Sequence, residues 1–272
     1  MNTDIKRRNI LKISLGTAAI TATQGLFTAS SLTACSGTDR KTIDYSSARQ
    51  KLEEQAVSGG GEGLIYAGIM AANPHNTQPW QFIYNNNCIS IYADLSRQLT
   101  ALDCYYREML LGIGCAIQNI SAAATALHID HQITLFAQGQ KKTEVARITL
   151  DSLPDNKHLP SSHEIIKRHT NRGPYQPEKA LPADFTKALI KSGNQQIYLL
   201  DAQSHEGKLF ASATREATAK LIQNKSMIRD DQYWWRNNDK EVLLHRDGVS
   251  IHCAGLPAWK RWLAKHFPAN SE

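Results

Sequence analysis

Two polar clusters combine residue types that can bind a ligand. The first, Asn73-Pro74-His75-Asn76-Thr77-Gln78, follows an apolar segment. An amide side chain offers both a carbonyl acceptor and an NH2 donor, so Asn76 and Gln78 can recognise the edge of a heteroaromatic ring. The alternative is a rigid turn between a helix and a strand whose amides cap backbone groups, and composition alone favours that alternative.

The second cluster, Lys167-Arg168-His169-Thr170-Asn171-Arg172, is typical of an anion site. Guanidinium groups bind phosphate oxygens through paired hydrogen bonds, so Arg168 and Arg172 could clamp a phosphate, with the hydroxyl of Thr170 as a further donor. The alternative is a solvated basic helix end, where cations interact favourably with the helix dipole. Neither cluster is specific when it is taken alone.

The elements that must position these clusters are predicted from hydrophobic periodicity and from turn residues. Strands are expected at 81–84, 88–93, 131–137, 145–150 and 196–200. Helices are expected at 62–71, 106–128, 163–168, 184–191 and 206–223. The helix at 106–128 is apolar nearly all round and rich in small residues, which predicts burial against helices of the second half of the chain. Because strands and helices do not alternate regularly, the pattern favours an α+β fold over a parallel Rossmann sheet.

Composition excludes several classes of protein. The chain has 272 residues, of which 42% are hydrophobic and 21% charged, which is typical of a globular protein and not of a disordered, collagenous or polytopic membrane chain. The net charge is +6. Residues 1–34 carry four basic residues and one acidic residue, which leaves +3 for the remainder and gives no support for a nucleic-acid partner. Five cysteines without CxxC pairs exclude a disulfide scaffold and a zinc ribbon, and no metal site is predicted.

The amino terminus has the features of an export signal. Lys6-Arg7-Arg8-Asn9-Ile10-Leu11-Lys12 resembles a twin-arginine signal, and the mildly apolar stretch that follows is too polar for a membrane span. Leu32-Thr33-Ala34-Cys35 resembles a lipobox, which implies cleavage before Cys35 and acylation of its thiol. The alternative is a plain amphipathic helix, but two motifs in the correct order favour the signal. The expected partner is the twin-arginine export machinery. The expected location is the periplasmic side of the envelope, on the outer membrane rather than the inner, because Ser36 and not Asp follows the cysteine.

Together, the two polar clusters resemble motifs of the FMN-dependent nitroreductases. Residues 73–82 resemble the P-S-x-x-N-x-Q-P-W-x-F loop of that family, and residues 168–172 resemble its R-R-S-x-R phosphate-binding motif. The order of the motifs is reversed here, as in the Acg-like lineage, where two nitroreductase units in one chain form a pseudo-dimer. Asp94-Leu95-Ser96-Arg97 and Arg246-Asp247-Gly248 also resemble that lineage. Ala72-Asn73 stands where the family has Pro-Ser.

The resemblance implies a nitroreductase-like α+β fold with two tandem units, at 61–157 and 158–272, the second of them incomplete. A signal peptide at 1–34 and a tether at 35–60 precede them. FMN is then the cofactor and NAD(P)H the co-substrate, with hydride passing through the flavin to a nitroaromatic or quinone-like acceptor. Since the flavin carries the chemistry, no catalytic acid or base is assigned. The implied cofactor-binding residues are Arg168, Thr170 and Arg172 at the phosphate and ribityl end and Asn73, His75, Asn76 and Gln78 near the ring.

Two other functions remain open from the sequence. One is a lipoprotein that binds or sequesters flavin without turnover, which the short second unit favours; flavin that NAD(P)H does not reduce would identify it. The other is a structural or partner-binding lipoprotein that has lost the site. In that case the aromatic residues 233–235, Trp259 and Trp262 could form an interaction surface, although a buried core or lid is the favoured interpretation.

Overall fold

The computed structural model describes residues 50, 54, 60–137, 139, 143–151, 159, 163–172, 175–176, 178–192, 197–236, 238–250, 253, 255 and 259–260. The export signal with Arg7 and Arg8, the lipidation residue Cys35 and most of the predicted tether lie outside the described residues. Antiparallel strands covered by helices, followed by a mainly helical region, confirm the predicted α+β class.

An antiparallel sheet of four strands forms the first region. Its strands are β1 (Trp80–Asn85), β2 (Cys88–Ala93), β3 (His131–Leu135) and β4 (Glu144–Leu150), arranged in the order β1-β2-β4-β3. Asn86 and Asn87 join β1 to β2 with φ angles of 49° and 55°. Asparagine tolerates this left-handed conformation, and the resulting tight turn fixes the hairpin register. The hairpin and the two later strands were predicted from the sequence, with small differences in their ends.

Two helices supply most of the packing against the sheet. They are α1 (Gly60–Ile69) and α2 (Arg107–Ala126). The carboxylate of Asp103 accepts hydrogen bonds from the backbone N–H of Glu108 at 3.1 Å and of Met109 at 2.9 Å, which satisfies donors at the start of α2. A stripe of α2 at three- and four-residue spacing is buried: Met109, Gly112, Ile113, Ala116, Ile117, Ile120, Ala123 and Ala124.

The other face of α2 is open, and this corrects the prediction that α2 is buried all round. Its main packing partner is α1 and not a helix of the second region. Leu111 is 69% exposed, and a Cβ added to Gly114 would meet nothing within 4 Å. The small residues that suggested a helical seam therefore lie on two different faces. Length and composition would also allow α2 to span a membrane, but a buried stripe is what a core helix requires.

The second region is mainly helical. It contains α3 (Glu164–Lys167), α4 (Ala183–Ser192), α5 (His205–Gln223), α6 (Lys225–Tyr233) and α7 (Asp239–His245), with a short parallel pair of strands, β5 (Trp235–Arg236) and β6 (Val249–Ser250). Helices were predicted at the positions of α3, α4 and α5. The strand predicted at 196–200 is wrong, because residues 197–200 are irregular and pair with no described strand.

Candidate functional site

The two predicted clusters lie on the same cleft, although far apart in the sequence. Its volume is about 460 Å³, within the range that holds small molecules and cofactors. Three segments line it: the loop between α1 and β1, the segment after α3, and residues close to β6. The lining residues are Ala71, Ala72, Asn73, Asn76, Arg168, Thr170, Asn171, Arg172, Gly248, Val249, Cys253 and Gly255.

The loop between α1 and β1 has an unusual backbone. His75, Asn76 and Gln78 have φ angles of 48°, 54° and 52°, in the left-handed region that residues with a Cβ seldom adopt. Each such residue costs about 1–3 kcal/mol, so the surrounding structure must hold the loop. The side chain of Asn73 closes it from inside: Oδ1 accepts from the N–H of Gln78 at 2.8 Å, and Nδ2 donates to the carbonyl of Ala71 at 3.2 Å.

The second region holds the same loop from outside. Nε2 of His75 lies 2.9 Å from Oδ1 of Asp231. Nε2 of Gln78 donates to the carbonyl of Arg246 at 2.9 Å. The carbonyl of Asn76 accepts from the N–H of Gly248 at 3.1 Å. Three of the four amide and imidazole side chains predicted near a flavin ring, those of residues 73, 75 and 78, are thus used in contacts within the protein.

Arg168 of the second cluster contacts the backbone that precedes the first cluster. Its Nε and Nη2 donate to the carbonyl of Met70 at 3.1 and 2.9 Å, and its Nη1 lies 3.4 Å from the hydroxyl of Thr170. Met70 directly follows α1, so the guanidinium group lies where a cation interacts favourably with the helix dipole. The structure therefore gives Arg168 a structural contact in addition to its position on the cleft. Its predicted contact with phosphate stays a prediction.

The charge of the cleft is positive. Arg168 and Arg172 contribute two guanidinium groups, and Thr170 and Asn171 add uncharged polar groups. No acidic side chain is among the described residues that line the cleft. Arg172 is exposed, and neither a hydrogen bond nor an ion pair joins its side chain to another described residue. This donor set fits the phosphate of a nucleotide.

Sequence reasoning did not foresee one ionic cluster beside the loop. Asp247 binds Arg97 through Oδ2, 3.2 Å from Nη1, and Arg236 through Oδ1, 2.9 Å from Nε. Asp247 and Arg97 enter the sequence-based expectations only through the resemblance, and Arg236 is not among them. The guanidinium of Arg236 also lies over the ring of Trp234. Trp234 is buried, as the favoured interpretation of the aromatic residues expected, whereas Tyr233 and Trp259 are 70% and 59% exposed. No spacing signal could reveal this cluster, because its members come from separate elements.

Proteins of known sequence support the resemblance at a coarse level, although no family model matches the chain. An uncharacterized protein of Mycobacterium tuberculosis is 23% identical over 225 residues, covering 77% of this chain and 62% of that protein. The protein of that organism named "Putative NAD(P)H nitroreductase acg" is 23% identical over 178 residues, covering 64% of this chain and 53% of the relative. The chain is therefore similar to a protein named as a nitroreductase, and the matches span less than two thirds of the length of these relatives.

A third relative and one solved structure carry the same kind of name. A second Mycobacterium tuberculosis protein named "Putative NAD(P)H nitroreductase" is 26% identical over 113 residues, covering 41% of this chain and 33% of the relative. Among solved structures, a "putative nitroreductase in complex with FMN" from Desulfovibrio desulfuricans matches at 16% identity and a TM-score of 0.28. That match covers 44% of this chain and 93% of the other. At this TM-score it adds nothing to the fold described above.

Proposed function

We propose that this protein is a flavin-dependent oxidoreductase of the nitroreductase type, which binds FMN in the cleft and accepts reducing equivalents from NAD(P)H. One observation carries the proposal: the segments around Asn76 and Arg172, each chosen for its resemblance to an FMN-binding motif, line a common cleft. Nothing in their sequence positions requires them to meet. Similarity to proteins named as NAD(P)H nitroreductases supports the same chemistry.

The side chains of the cleft suggest which end of FMN each segment would hold. Arg172 would bind the phosphate with the hydroxyl of Thr170, and Arg168 would add positive charge while two of its N–H groups stay on the carbonyl of Met70. Asn76, whose amide has no hydrogen bond to another described side chain, would offer a donor and an acceptor to the ring. Bound FMN would supply the hydride transfer, so the protein needs only to bind and orient the cofactor. We infer a nitroaromatic or quinone-like compound as the acceptor.

A second candidate has an observation in its favour. Asn73, His75, Gln78 and Arg168 all make contacts within the protein, as expected if the loop serves chiefly to join the two regions. A protein of this kind could bind flavin without turnover, or bind none. The two candidates predict different behaviour when flavin and NAD(P)H are added in sequence.

The deciding experiment compares FMN with riboflavin, which lacks the phosphate. Both are titrated into the parent and into Arg172→Ala, with Arg215→Ala on the exposed surface of α5 as a matched control. Loss of a charge-assisted contact costs about 1.5–3 kcal/mol. Arg172→Ala should therefore lower the affinity for FMN about 10- to 100-fold and leave the affinity for riboflavin unchanged. Asn76→Ala should weaken both flavins equally.

NADH or NADPH is then added anaerobically to the FMN-bound parent. Bleaching of the flavin absorbance supports the oxidoreductase. FMN that stays oxidised supports the flavin-binding candidate without turnover. If the folded parent binds no FMN, the proposal and the flavin-binding candidate both fail, and a structural role is left.

We also propose that the protein is exported through the twin-arginine route and anchored by lipid at Cys35. The support is the order of the twin-arginine and lipobox motifs. Each buried CH2 of an acyl chain adds about 0.8 kcal/mol of membrane affinity, so more than one chain gives stable anchoring. Cys35→Ala should move the protein from the membrane to the soluble fraction, while Cys104→Ala, at an exposed cysteine, should not. Unchanged membrane association of Cys35→Ala would refute the lipid anchor.

A further inference from the structure

We propose that Asp247 is a positioning residue that sets the conformation of residues 75–78 and thereby places Asn76 at the cleft. The inference deepens the proposed function and rests on it only where flavin binding is measured. We call the ionic cluster of Arg97, Asp247 and Arg236 the clasp. It lies beside the loop on the side formed by the second region.

The carboxylate of Asp247 holds two guanidinium groups from different parts of the fold. Arg97 belongs to the segment that follows β2 in the first region, and Arg236 belongs to β5 in the second. The side chains of Asp247 and Arg236 are each only 9% exposed. Removal of a carboxylate from a desolvated pair leaves the remaining charge without its partner, which is strongly unfavourable. Asp247 is therefore the central member of the clasp.

Arg97 connects the clasp to the loop. Its Nη1 donates both to Oδ2 of Asp247 at 3.2 Å and to the carbonyl of Thr77 at 2.8 Å. The side chain of Thr77 is fully buried, so this carbonyl has a protein donor in place of water. One guanidinium group thus fixes the peptide between two residues that have positive φ angles, Asn76 and Gln78.

The residues on either side of Asp247 make the other two contacts. The carbonyl of Arg246 accepts from Gln78, and the N–H of Gly248 donates to the carbonyl of Asn76. Arg246 and Gly248 therefore contact Gln78 and Asn76 directly, and Asp247, which lies between them in the sequence, reaches Thr77 through Arg97. Since a left-handed conformation at Asn76 and Gln78 costs free energy, these contacts help to hold the shape of the loop, together with the side chain of Asn73 and the contact of His75 with Asp231. The clasp fixes the segment that makes them.

The first test is hydrogen exchange on the protein without ligand. Asp247→Asn preserves the size of the side chain and removes its charge, and Asp184→Asn on the exposed surface of α4 serves as control. A peptide covering residues 75–78 should lose protection in Asp247→Asn and keep it in Asp184→Asn, while peptides from α1 stay protected in both. If Asp247→Asn fails to fold, Arg97→Gln removes the contacts of Arg97 with Asp247 and with the carbonyl of Thr77 and leaves the pair of Asp247 with Arg236. This variant should lose protection in the same peptide.

The second test uses flavin affinity in a double-mutant cycle. Asp247→Asn should lower the affinity for FMN and for riboflavin by the same factor, about tenfold for one charged hydrogen bond. The two factors are equal because the clasp acts on the loop and not on the phosphate. In the double variant with Asn76→Ala, the affinity for FMN should fall by less than the product of the two single effects, since both substitutions act through the side chain of Asn76.

The outcomes separate this inference from the proposed function. Unchanged protection of residues 75–78 in both Asp247→Asn and Arg97→Gln would overturn the clasp, whether or not flavin binds. If the effects of Asp247→Asn and Asn76→Ala on FMN affinity multiply in the double variant, Asp247 does not act through Asn76. If the parent binds no flavin, the proposed function fails, and the exchange experiment still decides whether Asp247 holds the loop.

Discussion

The two regions that meet at the cleft are stabilised by different kinds of interaction. The first region buries an apolar cluster in which the sheet, α1 and α2 interlock, and α3 adds Ile165 and Ile166 to it. In the second region, α4 buries none of its residues and α5 buries only Gly207. Apart from α3, the second region is fixed to the first, among the described residues, by polar contacts around residues 75–78 and Asp247 and by the packing of α6 beside residues 100–103, where the carboxylate of Asp230 accepts from the N–H of Ala101 at 2.6 Å. One wall of the cleft is therefore part of a packed core, and another depends on hydrogen bonds and ion pairs.

This difference bears on stability as well as on the site. Apolar burial contributes about 25 cal/mol per Å² of surface removed from water, so residues such as Phe185 and Phe210, 53% and 66% exposed, add little where they are. Polar contacts contribute less in net terms and are sensitive to the loss of one partner. The second region should therefore open at a lower free energy than the first, as surface segments with few buried contacts generally do.

The largest expected effect on the free energy of unfolding comes from a substitution in the packed core of the first region. Ile113 of α2 is fully buried, and truncation of a buried isoleucine to alanine costs about 2–5 kcal/mol. Ile113→Ala should lower the free energy of unfolding by that amount in urea denaturation. The matched variant Leu209→Ala, in α5 and 57% exposed, should change it by less than about 0.5 kcal/mol. An equal loss in both variants would show that the second region is as tightly packed as the first.

A smaller effect should be confined to the contact between the regions. Gly248 has a φ of +75°, and a Cβ there would lie 2.3 Å from the carbonyl oxygen of Trp234. Gly248→Ala should cost about 1–3 kcal/mol and should speed hydrogen exchange in residues 231–250 while α2 stays protected. Equal loss of protection in α2 would mean that the two regions unfold as one unit.

The control for that substitution is the same change at a glycine with open surroundings. Gly114 lies on the exposed face of α2, and alanine is favoured over glycine inside a helix by about 0.5–1 kcal/mol. Gly114→Ala should therefore raise the free energy of unfolding. This expectation replaces the sequence-based one, in which the small residues of α2 packed against helices of the second half of the chain.

The sequence predicted best where local chemistry decides the structure. The alternation in β2 and the Asn86-Asn87 turn define a hairpin without help from distant residues. The strand expected at 196–200 failed because an apolar run needs a neighbouring strand to pair with, and residues 197–200 have none among those described. The extent to which α2 is buried also depends on what packs against it, which a helical period does not specify.

The candidate site divides in the same way. Its two clusters were recognisable from residue types and spacing, and the structure brings both to one cleft. Their hydrogen bonds were not recognisable: the contacts of Arg168 with Met70 and of Gln78 with Arg246 span 98 and 168 positions. Long-range polar contacts leave no periodic pattern in a sequence. For the same reason, the sequence gives no sign of the role proposed for Asp247, which depends on the positions of Arg97, Arg246 and Gly248 around the loop.

The smallest expected effect concerns pH and the segment that carries Arg97. The hydroxyl of Ser96 donates to the carboxylate of Asp94 at 2.6 Å, and this hydrogen bond is the main cause that lowers the pKa of Asp94 below its usual value, against the opposing effect of burial. Gln81, the backbone N–H of Ser96 and the charge of Arg97 lower it further. These contacts hold the short turn from which Arg97 reaches Thr77 and Asp247.

A lowered pKa in the folded state means that the unfolded chain binds the proton more readily. The stabilisation from Asp94 is therefore fully present above the usual aspartate pKa of about 4, and it is lost as the pH falls through the lowered value. Asp94→Asn should therefore lose less of its free energy of unfolding than the parent as the pH falls below about 4, measured from urea midpoints. Asp130→Asn, an exposed aspartate of the same region, reports the effect of removing one negative charge. If Asp94→Asn follows the parent at every pH, the contacts of Asp94 do not stabilise this side of the cleft.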